Sequence, residues 1–155
     1  MTALTGEVYV SLFHLQASMK ALSDMVAKDG GTREGLIAQY YLGALKAQQG
    51  DNKGAEADLG AVADSSSDCK SLAKVALAQL YIGQGNTTGA QKLLQSMIEK
   101  PTDLVSKAQA QIMLARLDET VNPKASRALL QALKTPNERP AVSRAVSEVE
   151  AQLPK

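Results

Sequence analysis

At 155 residues the chain suits one compact domain or one short solenoid with its own core, and is too short for a second domain of ordinary size. Lys plus Arg number 17 against 16 Asp plus Glu, so the formal net charge of +1 creates no field that favours nucleic acid or an anionic membrane. Hydrophobic residues make up 45% and aromatics only 3%, so the core must come from Ala, Leu, Val, Ile and Met, a mixture that favours close-packed helices over sheets.

Met1 to Gly6 lacks a basic stretch followed by an apolar one, and no run of 18 apolar residues occurs, so neither a signal peptide nor a membrane span is expected. The spacing predicts a first helix over residues 7–27. Its Ser18, Leu22, Met25 and Val26 match the spacing of Ala90, Leu94, Met97 and Ile98 further on. This helix is therefore expected to be the second helix of an earlier unit, whose own first helix is missing or merged with residues 7–14. It follows that the chain is expected to continue a longer protein beginning upstream of Met1.

The next elements come in pairs. Ile37, Tyr41, Leu42 and Leu45 form one face of a 3.6-residue period, and Gly50 stops that helix. Asp51 is placed to cap a second helix over about 53–63, with Ala55, Leu59 and Val62 inward. The second pair repeats the first: a helix from about Asp68 to Gln84, a stop at Gly85, Asn86 as cap and a helix to about Glu99, ended by Pro101. In the third pair Thr102 or Asp103 is expected to cap a helix through Leu117. Asn122-Pro123 then supplies the cap and first position of its partner, which ends near Lys134. Beyond Pro136 and Pro140, residues 138–152 carry Val142, Val146 and Val149 beside Arg139, Arg144, Glu148 and Glu150, the two-faced pattern of a closing helix.

These pairs share a period. Leu42-Gly43, Gly50, Ala55 and Leu59 return 35 residues on as Leu77-Ala78, Gly85, Ala90 and Leu94. Leu114-Ala115, Ala125 and Leu129 make a third copy, offset by 37 residues in the first helix and 35 in the second, so its turn is expected to be two residues shorter. The fold class is therefore all-α, a solenoid of about three αα-hairpins (33–64, 68–99 and 103–134) with an N-terminal helix and a C-terminal capping helix, in a single domain over 1–155.

The markers Leu42-Gly43, Gly50, Ala55, Leu59 and Leu77-Ala78, Tyr81, Gly85, Ala90, Leu94, Pro101 resemble the tetratricopeptide repeat over about residues 33–134. Lys46 and Asp118 stand where that repeat has an aromatic, and no Gly ends the first helix of the third unit. More narrowly, Ala38-x-Tyr40-Tyr41-Leu42-Gly43, Ala76-Leu77-Ala78-x-Leu80-Tyr81 and Pro101-Thr102-x-x-Val105-Ser106-Lys107-Ala108-Gln109 look like the periplasmic repeat domains of bacterial membrane-anchored proteins related to the ancillary subunit of the SecYEG translocon. That resemblance implies help to exported proteins or assembly of envelope complexes, on the periplasmic face of an inner-membrane-anchored parent; the alternative location is cytoplasmic.

Stacked hairpins present the first helix of each unit on a concave face, the default binding surface of such arrays. By register the residues facing it are Tyr40, Ala44 and Gln48, then Gln79 and Ile82, then Gln109, Ile112, Arg116 and Glu119. Amides can satisfy peptide groups, and a tyrosine offers a rigid amphipathic contact, so the expected occupant is a protein or peptide segment. Tyr41, Leu42, Leu77, Tyr81 and Leu114 are expected in the core, which leaves Tyr40 outward because adjacent side chains on a helix diverge. Arg116 and Glu119, three apart, have the alternative of pairing with each other on a solvated face.

Catalytic chemistry finds little purchase. His14 is the single histidine, flanked by Val10, Phe13 and Leu15, and is expected to be a helix-packing residue. Cys69, alone, allows no internal disulfide and no thiolate metal site, and reads as an ordinary thiol after a Ser-rich turn. Glu56 and Asp58, two apart on a helix, diverge. Gly83-x-Gly85-x-x-x-Gly89 has neither the spacing nor the preceding strand of a phosphate loop and is expected to be an inter-helix turn. No enzyme activity, cofactor, metal, nucleic acid or membrane contact is expected. Self-association, by stacking of the N-terminal edge through Val8, Phe13 and Met19, is the alternative to partner binding.

Overall fold

The computed structural model describes residues 6–135 and 139–153, with side chains from Phe13 onward. Among the described residues the regular structure consists of eight α-helices and no strand. The all-α class and the hairpin repeat are as the sequence predicts. The chain divides into two compact units, Met1–Ala73 and Lys74–Lys155.

In the first unit α1 (Gly6–Asp29) packs on α2 (Arg33–Gln48), and α2 on α3 (Asn52–Ala63). The half-buried apolar residues of α1 from Phe13 onward, Leu15, Met19, Leu22 and Val26, recur every three to four positions and so form one face. Thr32 caps α2 by accepting from the Gly35 amide, and Asp51 caps α3 by accepting from the Gly54 amide. Gly50 ends the α2 turn at φ 81°, a left-handed geometry that only glycine adopts without steric cost. Ala55, Leu59 and Val62 of α3 are fully buried. At Gly43 α2 and α3 approach closely: a Cβ there would stand 2.8 Å from Leu59 Cγ.

The Ser-rich segment delays the next helix. Ser65 Oγ donates to the Val62 carbonyl, Ser65 Oγ accepts from the Ser67 amide, and Ser67 Oγ accepts from the Cys69 amide. These local bonds compete with helical ones, so α4 runs over Lys70–Gly83 rather than from Asp68.

In the second unit the remainder of α4 is followed by α5 (Thr87–Glu99), α6 (Lys107–Val121), α7 (Pro123–Leu133) and α8 (Pro140–Gln152). Asn86 caps α5 and Asn122 caps α7, with Pro123 at its first position, as the sequence predicts. The cap of α6 is Ser106, not Thr102 or Asp103. Thr102 and Val105 close a turn on each other, the Thr102 amide donating to the Val105 carbonyl and the Val105 amide to Thr102 Oγ1. Val105 is buried, which pins that turn, and Ser106 and Gln109 then form a reciprocal capping box. Pro136 and Glu138, expected to lead into the closing helix, lie outside the described residues.

Burial corrects the third repeat. The inward residues of α7 are Ser126, Leu130 and Leu133, while Ala125 and Leu129 are only partly buried. The set Ala55, Leu59, Val62 thus maps to Ala90, Leu94, Met97 and then to Ser126, Leu130, Leu133. The caps agree, since Asp51, Asn86 and Asn122 fall in the same register. The α6–α7 turn is one residue shorter than its counterparts, not two. The apparent match at Ala125 and Leu129 arises because α7 has apolar residues on both sides of its inner line. Ser126 Oγ, fully buried, donates to the Ala115 carbonyl at 2.9 Å and ties α7 to α6. α8 closes this core through Val146 and Val149, which meet Ala115, Leu130 and Leu133.

Candidate partner-binding site

The adjacent tyrosines of α2 lie opposite to expectation. Tyr41, expected in the core, is 55% exposed, and Tyr40 is half-buried, its ring meeting that of Tyr41 edge-on at 5.4 Å. Ala38 and Leu42 carry the buried line of α2, and Tyr41 falls off that line. Leu42, Leu77 and Leu114 are buried, and Tyr81 is half-buried.

Among the remaining candidates, Ala44 is half-buried, Gln48 and Gln79 are exposed, and Ile82 is 42% exposed. Gln109 is exposed, but its Oε1 accepts from the Ser106 amide. Ile112 packs against the cluster that α8 closes. Arg116 does not pair with Glu119; it reaches Glu148 of α8 at 3.4 Å, an exposed contact. Glu119 is half-buried, and its Oε1 is shielded from solvent without a hydrogen-bond partner among the described residues. The first helices therefore divide: Gln48, Gln79 and Ile82 face solvent, while Ile112 and Arg116 are engaged by α8.

His14 is exposed, not packed; its carbonyl accepts from Ser18 Oγ and its ring lies 6.3 Å from that of Phe13. Phe13 is 70% exposed and Met19 half-buried, while the Val8 and Val10 side chains lie outside the described residues. Cys69 is a half-buried free thiol. Among the described residues no group of three or more His, Cys, Asp or Glu is placed to hold a metal ion. No described helix is long and apolar enough to cross a membrane.

The position that holds an aromatic in the resembling repeat differs in each hairpin. Lys46 in α2 gives its ammonium to Asp58 of α3 at 2.6 Å, and Gln39 Nε2 approaches the same carboxylate at 3.4 Å. Tyr81 in α4 lies over the start of α5, where a Cβ on Gly89 would stand 2.9 Å from its ring. The matching residue in α6, Asp118, is 4% exposed and accepts from Gln91 Nε2 of α5 at 2.6 Å. In α7 the place of Gly89 is taken by Ala125 and that of Asp58 by Leu129, so neither space nor charge draws Asp118 towards α7.

Asp118 lines a groove of about 430 Å³ between α5 and α6, together with Leu114, Gln91, Lys92, Gln95, Ser96 and Glu99. Sequence reasoning missed this groove. Its one signal was the carboxylate at an aromatic position, which registered as a departure from the repeat and not as a site.

A family model for the tetratricopeptide repeat-like domain matches residues 13–109. Neither the curated proteins nor the solved structures include a significant match. Domains of this family generally mediate protein–protein interaction and generally serve as scaffolds without catalytic activity. The matched span runs from within α1 to the first turn of α6 and covers more than half of the sequence: the chain belongs to the tetratricopeptide repeat-like domains.

Proposed function

We propose that this chain holds a segment of another polypeptide on the faces of its first helices, through Tyr40, Ala44 and Gln48 in the first unit and Gln79, Ile82, Gln109 and Glu119 in the second, the α8 contacts of Ile112 and Arg116 leaving those two out. One observation supports it best. Gln48, Gln79 and Ile82 all face solvent on helices of a family whose repeats bind proteins, so donors, acceptors and an apolar contact stand ready for a backbone. The narrower resemblance favours exported proteins or envelope complexes as clients and the periplasmic face of an inner-membrane parent as the location.

A photoreactive amino acid placed singly at Gln48, Gln79 or Ile82 in the source cells tests this. Heterologous adducts are expected there and not at Lys53 or Lys124, exposed residues at the starts of second helices. Equal yields at all five positions would end the proposal, and protection of the adducts from a protease confined to the periplasm would oppose the location.

The second reading is self-association through α1, favoured by Phe13 at 70% and Met25 at 42% exposure. It requires a mass above that of the monomer in light scattering, and Phe13→Ser is expected to return that mass to one chain.

A further inference from the structure

A carboxylate withdrawn from water is costly unless a cation or several donors replace its hydration. Asp118 is 4% exposed, and among the described residues the one hydrogen bond to its carboxylate comes from a neutral amide, Gln91 Nε2. No described Lys or Arg lies within ion-pair distance of it. The equivalent charge in the first hairpin, Lys46, does have its counter-ion, Asp58. The rest of the groove is short of donors in the same way. Gln91 Nε2 gives one of its two hydrogens to Asp118 and Gln95 Nε2 one of its two to Glu99, while Ser96 Oγ donates to the Leu93 carbonyl and accepts from Lys74 Nζ. What remains on the α5 and α6 walls is mainly acceptors: the amide oxygens of Gln91 and Gln95, the second oxygen of Asp118 and the Glu99 carboxylate. Leu114, 7% exposed, adds an apolar wall, and Lys92 stands exposed at the rim.

We infer that the α5–α6 groove is a subsite for one arginine side chain of the partner polypeptide, its guanidinium on Asp118 and the amide oxygens, its methylene stem along Leu114. About 430 Å³ admits a single long side chain and no folded element. Arginine suits it better than lysine, because a planar fork of five donors can meet several fixed acceptors at once and loses less hydration on entering. This rests on the partner-binding reading and adds a specificity element to it.

The probe is the blocked peptide acetyl-Ala-Ala-Arg-Ala-Ala-amide, titrated into the full chain while the side-chain amide resonances of Gln91 and Gln95 are followed by NMR. Saturable shifts of both are expected. The lysine peptide should bind several-fold more weakly, and the citrulline peptide, which keeps the shape without the charge, weaker by about tenfold or more, the usual loss for a charge-assisted hydrogen bond. Asp118→Asn, which retains an acceptor for Gln91, should weaken the arginine peptide to the same degree, and Lys92→Met should tighten it. Citrulline binding as well as arginine, or no shift at Gln91 and Gln95, overturns the inference in the unaltered protein, whatever the variants do. Adducts at Gln79 with no arginine effect would remove this subsite alone. Arginine binding without adducts would keep the subsite and remove the wider reading.

Discussion

Gly43→Ala adds one methyl group at a close approach of α2 and α3. The new carbon would stand 2.8 Å from Leu59 Cγ, 3.1 Å from Leu59 Cδ2 and 3.1 Å from Asp58 Cβ. Leu59 is fully buried, so it cannot swing into solvent to make room. Overpacking of this kind costs roughly 1–3 kcal/mol. Alanine in a helix interior returns about 1 kcal/mol relative to glycine, so the net effect is a loss of about 1 kcal/mol. Gly60→Ala is the internal control: it lies within α3 with nothing within 4 Å of the added carbon, so only the helix gain of about 0.5–1 kcal/mol should be felt. Urea unfolding followed by helical circular dichroism measures both as shifts of midpoint at constant slope. In a Leu59→Ala background, which removes both Cγ and Cδ2, the crowding is relieved, and Gly43→Ala should become close to neutral or stabilising. If Gly43→Ala stabilises the unaltered chain as much as Gly60→Ala does, the tight α2–α3 crossing is refuted.

Asp58→Ala leaves the Lys46 ammonium without its partner where the two side chains are only 26% and 14% exposed, and should destabilise by about 2–4 kcal/mol in the same assay. Arg116→Ala breaks a pair whose side chains are 55% and 56% exposed at 3.4 Å, so solvent screening holds its cost to about 0–1 kcal/mol. Asn122→Ala removes the acceptor for the Ala125 amide and should cost about 1 kcal/mol, visible as faster hydrogen exchange at the first amides of α7. Ser126→Ala leaves the Ala115 carbonyl without its buried hydroxyl donor and should lower the urea midpoint by the equivalent of about 1 kcal/mol.

The fold was legible where local chemistry and burial agree. Asp51, Asn86 and Asn122 are capping residues by type and by position, and Gly50 and Gly85 mark turns by necessity, so three hairpins could be read from the chain directly. Boundaries failed where side chains bond locally in ways that residue type alone does not rank, as in the Ser65–Ser67 hydroxyl chain and the Thr102–Val105 turn. The third register slipped by one because Leu129 and Leu130 are interchangeable in a pattern, and only packing distinguishes them. The candidate site was less legible. Which of Tyr40 and Tyr41 is covered depends on the tilt of α2, and the engagement of Ile112 and Arg116 depends on where α8 docks. A buried carboxylate without a cation is a tertiary fact that no spacing announces.

The turns that close the hairpins differ in a way that bears on how the chain acquires its structure. Gly50 and Gly85 close the α2–α3 and α4–α5 turns in left-handed geometry, whereas the α6–α7 turn is shorter, uses no left-handed glycine and places Pro123 at once after Asn122. Glycine widens the range of shapes open to the denatured chain, and proline narrows it. Ordering α6 against α7 therefore surrenders the least freedom. Acquisition of structure is expected to begin at that C-terminal pair and spread towards α2, an order that pulse-labelled hydrogen exchange during refolding would reveal as earliest protection in α6 and α7, or disprove by earliest protection in α2 and α3.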